Sequence, residues 1–175
     1  MRLLLPGLAS VILIGALASP VSASTLTEKK YETSFAFSYD DTDDVGKNID
    51  LDGQFQWIFG DGRHEIGPKV TYFKFDPDLG PSTDGLLIGP VYTWNWMPAK
   101  DKATGFLEAA YEFASGDLGD VADAAWEASV GAKVFVGDSA AIRFDYYFRS
   151  LMGADSFDDQ DSSGVRVGLS IFCGK

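Results

Sequence analysis

Eight stretches of this chain alternate apolar and polar residues, and each does so for longer than a water-soluble strand needs. They are 30–40, 48–59, 63–75, 85–97, 104–115, 124–136, 140–151 and 164–173. Period-2 alternation puts neighbouring side chains on opposite faces of a β-strand. Soluble strands run to about 5–6 residues, whereas a strand that crosses a bilayer needs about 9–11. Helical periodicity is poor throughout. The pattern predicts an all-β fold of eight antiparallel strands.

The connections alternate in character. Gly60-Asp61-Gly62 and Gly137-Asp138-Ser139 are tight, Gly-led turns, and residues 98–103 form a modest link. The other four are longer and acidic: DDTDDVGK, DPDLGPSTDG, GDLGDVAD and MGADSFDDQDSS. Short turns at one end and longer loops at the other characterise membrane barrels. An even strand count places both termini at the short-turn end.

One face of each run carries almost no charge. It reads Tyr31, Phe35, Phe37 and Tyr39 in the first, Leu51, Phe55, Trp57 and Phe59 in the second, and Leu86, Ile88, Tyr92, Trp94 and Trp96 in the fourth. The fifth to eighth continue it with Leu107, Tyr111 and Phe113; Trp126, Val130 and Val134; Ile142, Phe144, Tyr146 and Phe148; and Val165, Val167, Leu169, Ile171 and Cys173. The third is less clean, running from His64 and Ile66 to Tyr72 and Lys74. An eight-stranded lumen holds only side chains or one small ligand, too little room for four Trp with this many Phe and Tyr. The apolar face is therefore expected to point outward, to lipid. Tyr31, Trp57, Phe59, Trp94 and Trp96 fall at the short-turn ends, and Tyr39, Tyr72, Trp126 and Phe148 at the loop ends, as two interfacial aromatic belts would.

The opposite face would then fill the lumen. Its acids are Glu32, Asp50, Asp52, Glu65, Glu108, Glu112, Glu127 and Asp145, and its bases Arg63, Lys69, Lys133, Arg143, Arg149 and Arg166. Buried charge is tolerable when paired and hydrogen-bonded, so a salt-bridge network plugging a narrow barrel is expected. The sharper alternative is an ion path. No catalytic constellation is expected: Glu108 and Glu112 lie four apart on one strand face, and the single His64 sits at the short-turn end with no adjacent nucleophile motif.

The N-terminus has Arg2, an apolar stretch to about Leu17, Pro20, and small residues before a cleavage site after Ala23, the form of a secretory signal peptide. Residues 1–23 are read as that signal and 24–175 as one barrel domain; an N-terminal membrane anchor is the alternative. Cleavage removes Arg2 and no acid, taking Lys+Arg from 14 to 13 against 26 Asp+Glu and the net charge from −12 to −13. Such acidity argues against nucleic acid as a partner. Cys173 is the only cysteine, so no intrachain disulfide forms. No cofactor and no specific metal site are expected. The Asp-rich loops suit at most weak association with divalent cations, which take oxygen ligands, and DSFDDQDSSG lacks the EF-hand spacing.

In the last strand Arg166 is followed by Gly168 two residues on, then by Ile171 and Cys173 at alternate positions. With the signal peptide and eight strands, this ending resembles the small outer-membrane β-barrel family, the OmpA-like and Opa-like eight-stranded barrels. The resemblance implies an up-and-down transmembrane β-barrel in the cell outer membrane with periplasmic termini. It further implies that Arg166, Gly168, Ile171 and Cys173 form the signal read by the outer-membrane barrel assembly machinery. The family usually ends on an aromatic residue, whereas this chain runs Phe172-Cys173-Gly174-Lys175. The expected function is a non-enzymatic structural or surface role among outer-membrane lipid and lipopolysaccharide. The alternatives are a narrow pore for ions or small solutes, a lipid-modifying enzyme, and a soluble periplasmic ligand-binding barrel.

Overall fold

A computed structural model describes residues 26–42, 46–78, 82–96, 102–154 and 159–174. The expected signal peptide lies outside them. Eight strands follow in order: β1 (Tyr31–Thr42), β2 (Gly46–Phe59), β3 (His64–Pro77), β4 (Thr83–Asn95), β5 (Ala103–Gly116), β6 (Ala122–Gly137), β7 (Ala140–Gly153) and β8 (Gln160–Cys173). Each pairs antiparallel with its sequence neighbours, and β8 closes on β1 through Tyr31↔Cys173 to Phe37↔Val167. The fold is a closed, all-antiparallel, up-and-down barrel, so the strand that ends the chain is paired on both sides.

The strands extend beyond the alternating runs, chiefly at the loop end. β8 begins at Gln160 rather than Gly164, and β2 at Gly46 rather than Asn48. Strands of 12 to 16 residues reach about 40–53 Å, more than a tilted strand needs for an apolar band about 25 Å tall. Past that band the backbone ladder continues, with side-chain hydrogen bonds such as Tyr146 to Ser163 at 2.9 Å. Alternation is no longer required there, which is why polar segments such as Gln160–Ser163 read as loop in the sequence.

The face assignment holds along every strand. Phe113 and Val165 are 60% and 63% exposed, while Arg149, which follows Phe148 in β7 and points to the opposite face, is 0% exposed. The outer face also carries the aromatic pairs: Trp94 and Trp96 pack edge-on at 5.6 Å, and Trp126 lies 5.2 Å from Phe148. His64 is stacked between Phe59 and Tyr92, with Nδ1 2.6 Å from the Tyr92 hydroxyl. It is part of the aromatic belt at the short-turn end.

Two Ile-Gly-Pro segments interrupt the wall. Pro68 of β3 faces Pro90 of β4. A closed barrel has no edge strand, so a proline inside it removes a ladder hydrogen bond. The β2–β3 ladder accordingly skips from Gln54↔Lys69 to Trp57↔Ile66, and the β4–β5 ladder from Ile88↔Phe113 to Val91↔Ala110. The adjacent Gly67 and Gly89 let the backbone close in: a Cβ on them would lie 1.8 Å from the Phe55 carbonyl oxygen and 1.9 Å from that of Tyr111.

Inside, the barrel is layered. At the termini end Leu26, from a short 3-10 turn (Leu26–Glu28), packs with Phe135, Ala141 and Phe172. At the loop end Leu118, from a second 3-10 turn (Asp117–Asp120), folds into the mouth against Phe73, Leu87, Ala122, Ala125 and Leu151. The charged residues lie between these apolar layers. Phe73, Leu87, Val91, Phe106 and Phe172 share the inward face with the charges, and the sequence pattern concealed them among polar neighbours.

Candidate functional site: the charged interior

All twelve residues expected to form the interior network are buried: Glu32, Asp52, Glu65, Lys69, Glu108, Glu112, Glu127, Lys133, Arg143, Asp145, Arg149 and Arg166. Asp50 joins them. Arg63 does not. It is exposed in the turn before β3, where its amide donates to the Gly60 carbonyl at 3.2 Å and its own carbonyl accepts from Asn95. The turn consumes the residue that strict alternation would have pointed inward. Without Arg63 the described interior holds eight carboxylates against five cations.

The network has two nodes. Near the termini, the Lys133 ammonium (β6) lies 2.5 Å from Glu32 of β1 and 2.8 Å from Glu65 of β3. Each carboxylate has a further donor: the Ser170 hydroxyl to Glu32 and the Asn95 amide to Glu65, both at 2.6 Å. Towards the loops, Glu127 (β6) accepts Lys69 from β3 at 2.8 Å and both Arg149 and Arg166 at 2.7 Å. Arg166 also bonds Asp52 and Asp145 at 2.6 Å, and Arg149 bonds Asp50 at 2.8 Å. Lys69 reaches Glu112 at 3.4 Å, and Thr71 lies between Asp52 and Glu112.

Arg143 links the nodes, 3.3 Å from both Glu108 and Asp145. Gln54 and Thr93 each donate to Glu108 at 2.9 Å. Glu108 and Glu112 thus belong to different cations and do not form an acid–base pair. The planar cations also rest on rings: Arg166 lies 4.6 Å from the centre of Tyr147, and Arg143 4.6 Å from that of Phe106. Tyr147 is a further member of the network that alternation alone did not mark, because it lies beside Tyr146 and reads equally well as lipid-facing.

These contacts join opposite walls. Glu32–Lys133–Glu65 spans β1, β6 and β3, and Lys69–Glu127 spans β3 and β6. A charge desolvated in a lumen finds its partner across it, so satisfying the charges also fills the bore. Among the described residues no group of three or more His, Cys, Asp or Glu is arranged to hold a metal ion.

In the last strand, Arg166 and Gly168 face inward while Ile171 and Cys173 are exposed on the outer face. Gly168 admits the facing strand, since a Cβ there would lie 2.3 Å from the Phe35 carbonyl oxygen. Exposed carboxylates at the loop end include Asp76, Asp84, Asp117, Asp120, Asp123 and Asp161. Asp43, Asp44, Asp155 and Asp158 lie outside the described residues.

The sequence matches no family model and no curated protein. The fold is similar to the N-terminal β-barrel domain of Pseudomonas aeruginosa OprF, with a TM-score of 0.54 and 9% identity over 83% of this chain and 98% of that one. It is also similar to a de novo designed transmembrane β-barrel, with a TM-score of 0.50 and 15% identity over 83% of this chain and 96% of the design. At these identities the likeness shows the fold, that of small transmembrane barrels.

Proposed function

We propose that this chain is a non-enzymatic outer-membrane barrel with a structural and surface role, closed to ions. In this reading it is exported by residues 1–23 and has periplasmic termini. The observation that carries the reading is the cross-braced lumen: Lys133 and Glu127 each tie opposite walls, and an apolar layer lies above and below them. The exposed acidic loop end is the surface turned outward. Its carboxylates sit among lipopolysaccharide phosphates through weakly shared divalent cations, since like charges would otherwise repel. Arg166, Gly168, Ile171 and Cys173 serve the barrel assembly machinery.

The test is expression of the full chain in a Gram-negative host, with fractionation and comparison of boiled and unboiled samples by gel. A heat-dependent shift in the outer-membrane fraction is expected, as is a silent planar bilayer after reconstitution. Discrete conductance steps would replace this reading with a narrow pore. A soluble periplasmic product without a heat shift would overturn the membrane assignment altogether.

A further inference from the structure

At the loop end the packed apolar layer stops short of the rim and leaves a cavity above it. Phe73, Phe75, Leu118, Val121, Ala122 and Leu151 line the apolar part of a cavity of about 180 Å³ that opens at the mouth beside Thr83 and Gln160. Leu118 and Leu151 belong to the apolar layer that separates it from the charged network. Its wall is built by specific backbone contacts. The Val121 amide donates to Leu118 O, and the Ala154 amide donates to Val121 O, both at 3.1 Å, which ties the 3-10 turn to the end of β7. Gly85 makes room for that turn: a Cβ on it would lie 2.6 Å from the Leu118 Cβ.

Protein interiors are close-packed and hold few voids larger than a water molecule. Water is a poor filler of the cavity's apolar floor, because it needs two to four polar partners and those six side chains present only hydrocarbon. An apolar cavity of about 150 Å³ stays dry and takes a benzene-sized molecule. The surroundings add a charge filter. Asp76, Asp117, Asp120, Asp123, Asp159 and Asp161 are exposed at this end, and among the described residues the cations here outside the buried network are Lys47, opposite Asp76, and Lys74. Thr83 and Gln160 complete the rim with neutral polar groups.

We propose that this mouth is a binding site for one compact apolar molecule without negative charge, of the size of a single aromatic ring. The site goes beyond the structural role proposed above and does not depend on which way the barrel faces. The charged layer beneath holds the ligand at the mouth, so binding there requires no conduction.

The probe is toluene, with benzoate as its anionic counterpart, titrated into the full barrel in nanodiscs with ¹³C-labelled leucine methyl groups. Saturable shifts are expected at Leu118 and Leu151 with toluene, and none with benzoate. Leu169, which faces lipid, reports simple partitioning. The substitutions A122F and V121W fill the cavity from different sides. Each is expected to keep the heat-dependent gel shift and to weaken toluene binding at least tenfold.

Non-saturating shifts at all three leucines would overturn the proposal, as would saturable binding that survives both substitutions. A wild-type protein that shows no saturable toluene shift at Leu118 and Leu151 would also overturn it. The heat shift and bilayer recordings are unaffected by any of these results, so failure here is distinguishable from failure of the structural reading.

Discussion

Replacing Lys133 by methionine isolates the energetic role of one node. Among the described residues, Lys133 is the sole salt-bridge partner of Glu32 and of Glu65, and all three side chains are 0% exposed. Methionine keeps the length and removes the charge, leaving two carboxylates in a dry layer. Breaking a buried pair by removing one partner costs about 3–5 kcal/mol, because the charge left behind is uncompensated. Each carboxylate retains one neutral donor, Ser170 or Asn95, so the lower end, about 3 kcal/mol, is expected. The assay is urea unfolding of the barrel refolded into lipid vesicles, followed by tryptophan fluorescence, with the midpoint falling at constant m-value. The triple variant E32Q/E65Q/K133M removes all three charges with the shapes nearly kept, and should recover more than half of the loss, since replacing a whole buried ionic group is often close to neutral. A K133M loss below about 1 kcal/mol, the range of exposed pairs, would refute the reasoning, and so would a triple variant no more stable than the single one.

Further expectations are independent of that node. Truncation of Leu118 to alanine in the loop-end layer should cost about 2–5 kcal/mol if the 3-10 turn is packed as part of the core. It should also speed proteolysis between β5 and β6, and an unchanged cleavage rate would detach the turn from the barrel. The double substitution P68V/P90V returns two backbone donors to the wall. It should raise stability by about 1–2 kcal/mol, because hydrocarbon offers an unpaired carbonyl no other partner; a lower urea midpoint would mean that the two Ile-Gly-Pro segments relieve strain instead. Lipids brominated near the headgroup should quench Trp57, Trp94, Trp96 and Trp126 more than lipids brominated at the chain ends, and the reverse order would place the belts wrongly.

Much of this architecture was legible in the sequence, because lipid imposes one requirement on every residue of a spanning strand. Alternate side chains must be apolar, so Phe35, Phe55, Trp126 and Leu169 declare their face without knowledge of their neighbours. Strand number and the inward placement of Glu32 through Arg166 follow from that local rule, and closure from lipid's demand that no strand edge stay unpaired. It fails where lipid no longer applies. Beyond the membrane, Gln160–Ser163 form strand without alternating. At the turn, Arg63 leaves the inward face. Inside, the rule excludes nothing, so Phe73, Leu87, Phe106 and Phe172 share parity with the charges and went unmarked.

What only the tertiary structure decided is who meets whom across the lumen. Eight carboxylates and five cations admit many pairings, and strand parity ranks none of them. The choice of Lys133 for Glu32 and Glu65, and of Lys69, Arg149 and Arg166 for Glu127, depends on the stagger of the strands, which sets the depth at which each residue sits. The same stagger brings Pro68 opposite Pro90 and carries Leu118 over Gly85 into the mouth. Facing lipid is a property of a single residue and is written in the sequence. Pairing across a bore is a property of two distant ones, and it exists only once the barrel has closed.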